Sequence, residues 1–201
     1  MDDLYINEYI NYLERVISYA HHEKYFLGAV ENMISYCSFF QKIEKTQRGF
    51  APIIEETKII QDIFPDDKIS IEEVPVYNQC LWVAESYIRL QSETGLTFEA
   101  IFLYIPLQKM FELFPLYHEM DFSQIIDLFK NLLSEKSIFE ILLEKYNYTL
   151  KYISFKTKVS YDYLYSLKRR RRDIKKASVE LVVQLADEFN VRIETIAELK
   201  M

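Results

Sequence analysis

A chain of 201 residues, half of it hydrophobic and 15% aromatic, carries enough apolar side chain to bury a core, which excludes an intrinsically disordered protein despite the net charge of −7. Only 3 glycines and 5 prolines interrupt it, which argues against a turn-rich β protein and for helices. No apolar run reaches the roughly 20 residues a membrane span requires, and the start, MDDLYINEYINYLERV, lacks the basic and apolar regions of a signal peptide, so no membrane contact and a cytoplasmic location are expected.

Leu4, Tyr5, Tyr9, Tyr12, Leu13, Val16 and Ile17 recur at three- and four-residue spacing, which predicts an amphipathic first helix. A second helix is predicted from Lys24 to Gln47, ending near Gly49, where glycine tolerates the left-handed geometry of a helix end. A third covers Ile53 to Phe64 and stops at FPDD. A fourth covers Val74 to Leu90, with Pro75 suited to its first turn. Thr97 is placed to cap FEAIFLYI. Pro106 and Pro115 are expected to break PLQKMFELFPLYHEMD into short pieces, because proline lacks an N–H and crowds the preceding turn. Asp121 with Gln124, and Ser137 with Glu140, have capping-box spacing, so helices are expected to start at Phe122 and Ile138.

In the last third, Thr149 precedes LKYISFKT, with Leu150 and Ile153 on the inner side, and Lys158-Val159 makes a tight connection. Ser160 then caps YDYLYSLKRR, whose inward positions are Leu164 and Leu167. Ser178 opens SVELVVQLADEFNV, and RIETIAELK forms a last helix with Ile193, Ile196 and Leu199 inward. Five short helices here close around one core only when the second and third pack at a steep angle, which is the helix-turn-helix unit. The expected fold class is therefore all-α, with a helical domain over 1–134 and a five-helix helix-turn-helix domain over 135–201.

Charge divides the chain in the same way. Lys145 to Met201 holds 13 Lys and Arg against 7 Asp and Glu, whereas the residues before it carry a net −13. Between Lys145 and Ser178, 11 cations face only Asp162 and Asp173. Such asymmetry suits a polyanion-binding module on an acidic body, and equally a helical protein with a charged tail.

YTLKYISFKTKVSYDYLYSL followed by LVVQLADEFNVRIETI resembles the Cro/C1-type helix-turn-helix domain of phage repressors and related bacterial regulators, over roughly Ser137 to Leu199. Ile153 stands at the family's buried apolar site, Ser154 at the small-residue site between the two helices, Val159 at the turn and Ser160 at the cap of the recognition helix. Leu185-Ala186 and Asn190-Val191 match the fourth helix and its exit. The chain departs from the family pattern at four places. Lys158 stands where glycine is usual, Leu150 replaces a polar opening residue, Lys168 replaces an acid, and the loop carrying Arg169 to Arg172 is longer.

The resemblance implies a DNA-binding transcriptional regulator whose recognition helix enters the major groove of double-stranded DNA. Tyr161, Asp162, Tyr163, Tyr165 and Ser166 are then the expected base contacts, a set poor in bidentate readers. Lys156, Lys158, Lys168, Arg169, Arg170, Arg171, Arg172, Lys175 and Lys176 are the expected phosphate contacts. Cations also complement the negative end of a helix dipole, but one or two suffice for that. Tyr163 and Tyr165 suit a second role, completing the surface of their own domain.

No catalytic constellation is found, and neither a cofactor nor a metal is expected. His21, His22 and His118 lack metal-ligand spacing, and a capped turn accounts for the YHEMD cluster. Gly28, Gly49 and Gly95 lie too far apart for a phosphate loop. Cys37 and Cys80 are expected to be reduced thiols. The aromatic-rich N-terminal part suits oligomerisation, with a homodimer reading paired half-sites, and leaves room for a peptide or protein effector. The alternative reading is a non-enzymatic interaction module from a mobile element that uses the helix-turn-helix fold to hold a protein partner.

Overall fold

The computed structural model describes residues 3–45, 56–67 and 77–197. Among these the protein is all-α: thirteen helices, one 3₁₀ turn and no strand. None of the helices is long and apolar enough to cross a membrane.

α1 (Asp3–His22) runs along α5 (Asn78–Thr94), and α4 (Glu56–Ile63) packs beside α1. The periodic positions Tyr9, Tyr12, Leu13, Val16 and Ile17 supply the buried stripe of α1, as the sequence predicts. α2 (Leu27–Tyr36), α6 (Phe98–Tyr104), α7 (Leu107–Tyr117) and α8 (Phe122–Glu135) complete this body. Then come α9 (Ile138–Lys145), α10 (Leu150–Thr157), α11 (Tyr161–Lys168), the 3₁₀ turn at Ile174–Lys176, α12 (Val179–Phe189) and α13 (Ile193–Ile196). The buried apolar residues form one cluster that continues from the body into these last helices.

The single helix expected from Lys24 to Gln47 is two helices. α2 ends at Tyr36, Cys37 takes an extended conformation, and α3 (Ser38–Lys45) follows. The cause is a phase slip in the apolar pattern. At about 100° per residue, Ile43 in an unbroken helix would face away from Ile34, yet both are fully buried. The break at Cys37 brings Phe39, Phe40 and Ile43 onto the core side.

Pro115 does not break its segment either; it lies inside α7. A proline there strips the carbonyl four residues earlier of its helical donor. The Gln79 side chain supplies the replacement, donating Nε2 to the Phe111 carbonyl at 3.2 Å. Pro106 does mark a boundary, immediately before α7. The fourth predicted helix corresponds to α5, which begins at Asn78 and runs past the expected end at Leu90 to Thr94, with Gly95 as its left-handed C-cap (φ 67°). The expected helix end at Gln47, Gly49, the expected helix starts at Ile53 and Val74, Pro75 and Leu199 lie outside the described residues.

The expected caps form. Thr97, Ser137, Thr149, Ser160 and Ser178 each accept the N–H three residues on, while Asp121 accepts from Ser123. Ile193 is corrected: it is 45% exposed, and the buried side of α13 is formed by Thr195 and Ile196. The reason is the surface beneath, which is polar. The Thr195 hydroxyl donates to Glu99 Oε2 at 2.6 Å and lies 2.9 Å from the Thr97 hydroxyl.

That contact belongs to a junction between the body and the last helices. Arg192 grips Glu44 with two hydrogen bonds, Nη1 to Oε2 at 2.8 Å and Nη2 to Oε1 at 2.9 Å, and its backbone N–H donates to Glu99. Glu44 also accepts from the Phe98 N–H, and Tyr36 donates to Glu99. Burial opposes the charge on Arg192, but Glu44 outweighs it and holds the guanidinium above its ordinary pKa. Burial, with Glu99 beside it, pushes the Tyr36 phenol up to about 12. A charge pair this dry repays its desolvation only with full partnering, and among the described residues Arg192 Nε, 3.6 Å from Glu99 Oε2, is the buried polar side-chain atom left without a hydrogen bond.

Candidate nucleic-acid interface

α10 and α11 meet through a three-residue connection whose geometry depends on Lys158. This lysine is left-handed (φ 56°, ψ 20°), a conformation that costs a residue bearing a Cβ about 1 kcal/mol. Two side chains hold it there. Ser154 Oγ donates to the Val159 carbonyl at 2.6 Å, and Thr157 Oγ1 accepts from the Val159 N–H while donating to the Ile153 carbonyl. Ile153, Leu164 and Leu167 are buried beneath. α11 is thereby seated on its leucine side, packed against α10 and α9, and its other side is open.

The chain then folds back over the end of α11. Arg170 is left-handed (φ 53°), and the Arg171 and Arg172 N–H groups both donate to the Ser166 carbonyl, at 2.9 and 3.2 Å. This reversal lays guanidinium groups along the tyrosines. Arg169 and Arg171 each stand 5.8 Å from the Tyr165 ring, and Arg172 stands 4.8 Å from that of Tyr163. Tyr161 and Tyr165 lie nearly parallel, 6.3 Å apart with 11° between their planes. At exposed sites each such cation–ring contact is worth about 0.5–1 kcal/mol. Among the described residues, Arg169, Arg171 and Arg172 have no carboxylate partner.

The nine expected phosphate contacts therefore separate into two groups. Arg169, Arg171, Arg172, Lys158, Lys175 and Lys176 are exposed. Three others are engaged within the protein. Arg170 Nη2 donates to the Lys136 carbonyl at 2.8 Å and to the Tyr104 hydroxyl at 3.1 Å, which fastens the arginine turn to the body. Lys168 pairs with Glu140 at 3.2 Å. Lys156 lies 3.8 Å from Glu188 and over the Tyr152 ring, and the Tyr152 hydroxyl, followed by Glu188, raises its pKa.

The five expected base contacts lie on one short helix but differ in freedom. Tyr161 and Asp162 are exposed in its first turn; Tyr163, Tyr165 and Ser166 are half-buried. Ser166 spends its hydroxyl proton on the Asp162 carbonyl at 2.8 Å. Asp162 has no side-chain hydrogen bond or ion pair among the described residues.

A pocket of about 200 Å³ lies behind the arginine turn, lined by Ser137, Phe139, Leu167, Arg170, Arg172 and Ile174 among others. Most of its polar groups are engaged within the protein: Ser137 caps α9 and donates to the Lys168 carbonyl, Arg170 donates to the Lys136 carbonyl, and Asp173 accepts from the Lys175 N–H. His118 stacks on Phe114 with ring centroids 4.5 Å apart, and its Nδ1 lies 2.8 Å from the Phe114 carbonyl. Among the described residues, no group of three or more His, Cys, Asp or Glu is arranged to hold a metal ion.

Two features here escape a reading of the sequence. Arg170 looks like its three neighbours in the run, and only its left-handed backbone turns its guanidinium toward the body. Arg192 reaches a partner 148 positions away, a separation over which the sequence carries no local signal. Comparison with protein-family models, with curated proteins and with solved structures gives no match for this chain.

Proposed function

We propose that the last five helices form a Cro/C1-type helix-turn-helix domain, and that the protein is a transcriptional regulator that binds double-stranded DNA with the open side of α11. The observation that carries this reading is the exposure of that side. Tyr161 and Asp162 face solvent, three guanidinium groups without carboxylate partners among the described residues line the tyrosines, and the acidic body attaches through Arg192, Thr195 and Arg170. Arg169, Arg171, Arg172, Lys158, Lys175 and Lys176 meet phosphates, while the first turn of α11 meets base edges. The first eight helices serve as the oligomerisation or effector-binding part, and a homodimer presents two α11 helices to paired half-sites.

Anisotropy of a labelled duplex and of its single strand, titrated between about 50 and 200 mM salt, tests the proposal. Saturable duplex binding that weakens steeply with salt is expected. No binding to duplex at the lowest salt ends the reading. A second reading, in which the same fold holds a protein partner, is favoured by Phe155 and Val179, which are 81% and 78% exposed on the last helices. Copurification of a stoichiometric protein without nucleic acid is its mark.

A further inference from the structure

We propose that the first turn of α11 selects a C·G pair, with the Asp162 carboxylate accepting a hydrogen bond from the exocyclic amino group of cytosine in the major groove. This rests on the reading of α11 as the groove-facing helix.

Of the five outward side chains, Tyr163 lies beneath Arg172, Tyr165 lies against Arg169, Arg171 and Tyr161, and the Ser166 proton is bound to the Asp162 carbonyl. Asp162 presents a charged group with no side-chain partner among the described residues, and it does so in the turn that reaches deepest into a groove.

An ionised carboxylate only accepts hydrogen bonds. Guanine and thymine offer it acceptors in the major groove, N7 with O6 and O4 respectively, so both repel it. Adenine offers the N6 amino group, but with the N7 lone pair beside it. Cytosine offers the N4 amino group with a C–H on its flank. Guanine O6 of the same pair flanks that amino group on one side only, whereas adenine N6 stands between N7 and the O4 of its paired thymine, so the carboxylate meets the least repulsion at cytosine.

Phosphates exclude the same group from the strands. Exposed cations stand at both ends of α11, Lys158 before it and Arg169, Arg171 and Arg172 after it, and these are assigned to the phosphates on either side. That arrangement leaves Asp162 over the groove floor. Tyr161, 45% exposed and next in the chain, lies beside the same base step and offers its ring to a thymine methyl.

Selection from a randomised duplex pool, with sequencing of the bound fraction, tests this with the full-length chain and two variants. The wild-type protein is expected to enrich cytosine at one position of each half-site by about 5- to 10-fold. Asp162→Asn adds a donor beside the acceptor, the pattern that matches adenine N7 and N6, and is expected to move that position from cytosine to adenine. Asp162→Ala is expected to level it. Loss of a favourable charge at the α11 N-terminus lowers stability without redirecting base preference, so thermal denaturation of both variants separates that effect from readout. The same base preference in wild type and Asp162→Asn overturns the assignment and leaves duplex binding standing. Enrichment of no base by a wild-type protein that still retains duplex also overturns it. Failure to retain any duplex removes the functional reading itself.

Discussion

Arginine is used in two opposite ways in the last third of this chain. At Arg192 the guanidinium is buried, gripped by both oxygens of Glu44 and backed by Glu99. At Arg169, Arg171 and Arg172 it is exposed and rests on tyrosine faces. A carboxylate partner consumes the charge; an aromatic face orients the group and leaves its N–H donors free. The first arrangement fixes where the last helices sit, and the second leaves charge for an external anion. Arg170 stands between the two: it belongs to the exposed run, yet spends its donors on a carbonyl and a phenol of the body.

The comparison breaks most visibly at Arg192. Arg192→Ala leaves Glu44 buried and uncompensated and is expected to cost about 3–5 kcal/mol of unfolding free energy in urea titrations. Arg192→Lys keeps the charge but not the two-pronged geometry, and should fall between. A loss below 1 kcal/mol for the alanine variant, on the order of an exposed pair, would mean that the junction is solvated and does not fix the helices. In contrast, replacing Arg169, Arg171 and Arg172 together by alanine is expected to cost about 1.5 kcal/mol, the low end for three exposed ring contacts.

Smaller changes sharpen the picture. Lys158→Gly removes the penalty of a left-handed lysine, and a gain of about 0.5–1 kcal/mol is expected, with a slightly weaker affinity for duplex. A loss of stability instead would show that the lysine stem contributes more than the backbone strain costs. Glu31, a half-buried carboxylate, supplies the gentlest test. Burial raises its carboxyl pKa, opposed by the Leu107 N–H it accepts at 2.6 Å and by Lys145. Its folded pKa therefore lies above its unfolded one, so ionisation destabilises the fold as pH rises through that interval. Glu31→Gln keeps an acceptor and removes the charge. Its melting temperature should exceed that of wild type at neutral pH, and the gain should vanish below the ordinary glutamate range.

The helical class and most helix starts were legible because capping and apolar periodicity are local signals. Thr97, Asp121, Ser137, Thr149, Ser160 and Ser178 all cap where their spacing indicates. Phase is harder to see. The slip between Ile34 and Ile43 is present in the sequence, but apolar residues are dense enough there to hide it. Pro115 misled because its rescue comes from Gln79, on a different helix. At the candidate interface, position on α11 could be read but occupancy could not. The engagement of Lys156, Lys168 and Arg170 depends on Glu188, Glu140 and the Lys136 carbonyl, which only the folded chain brings within reach.

The central claim is that three exposed guanidinium groups beside α11 serve a polyanion and do not hold the fold. The most direct measurement is the salt dependence of duplex affinity for wild type and for the Arg169→Ala, Arg171→Ala, Arg172→Ala triple variant, with melting curves of both. A log–log slope shallower by about three is expected in the variant, with a melting temperature lowered by only a few degrees. Equal slopes for two equally folded proteins would contradict it.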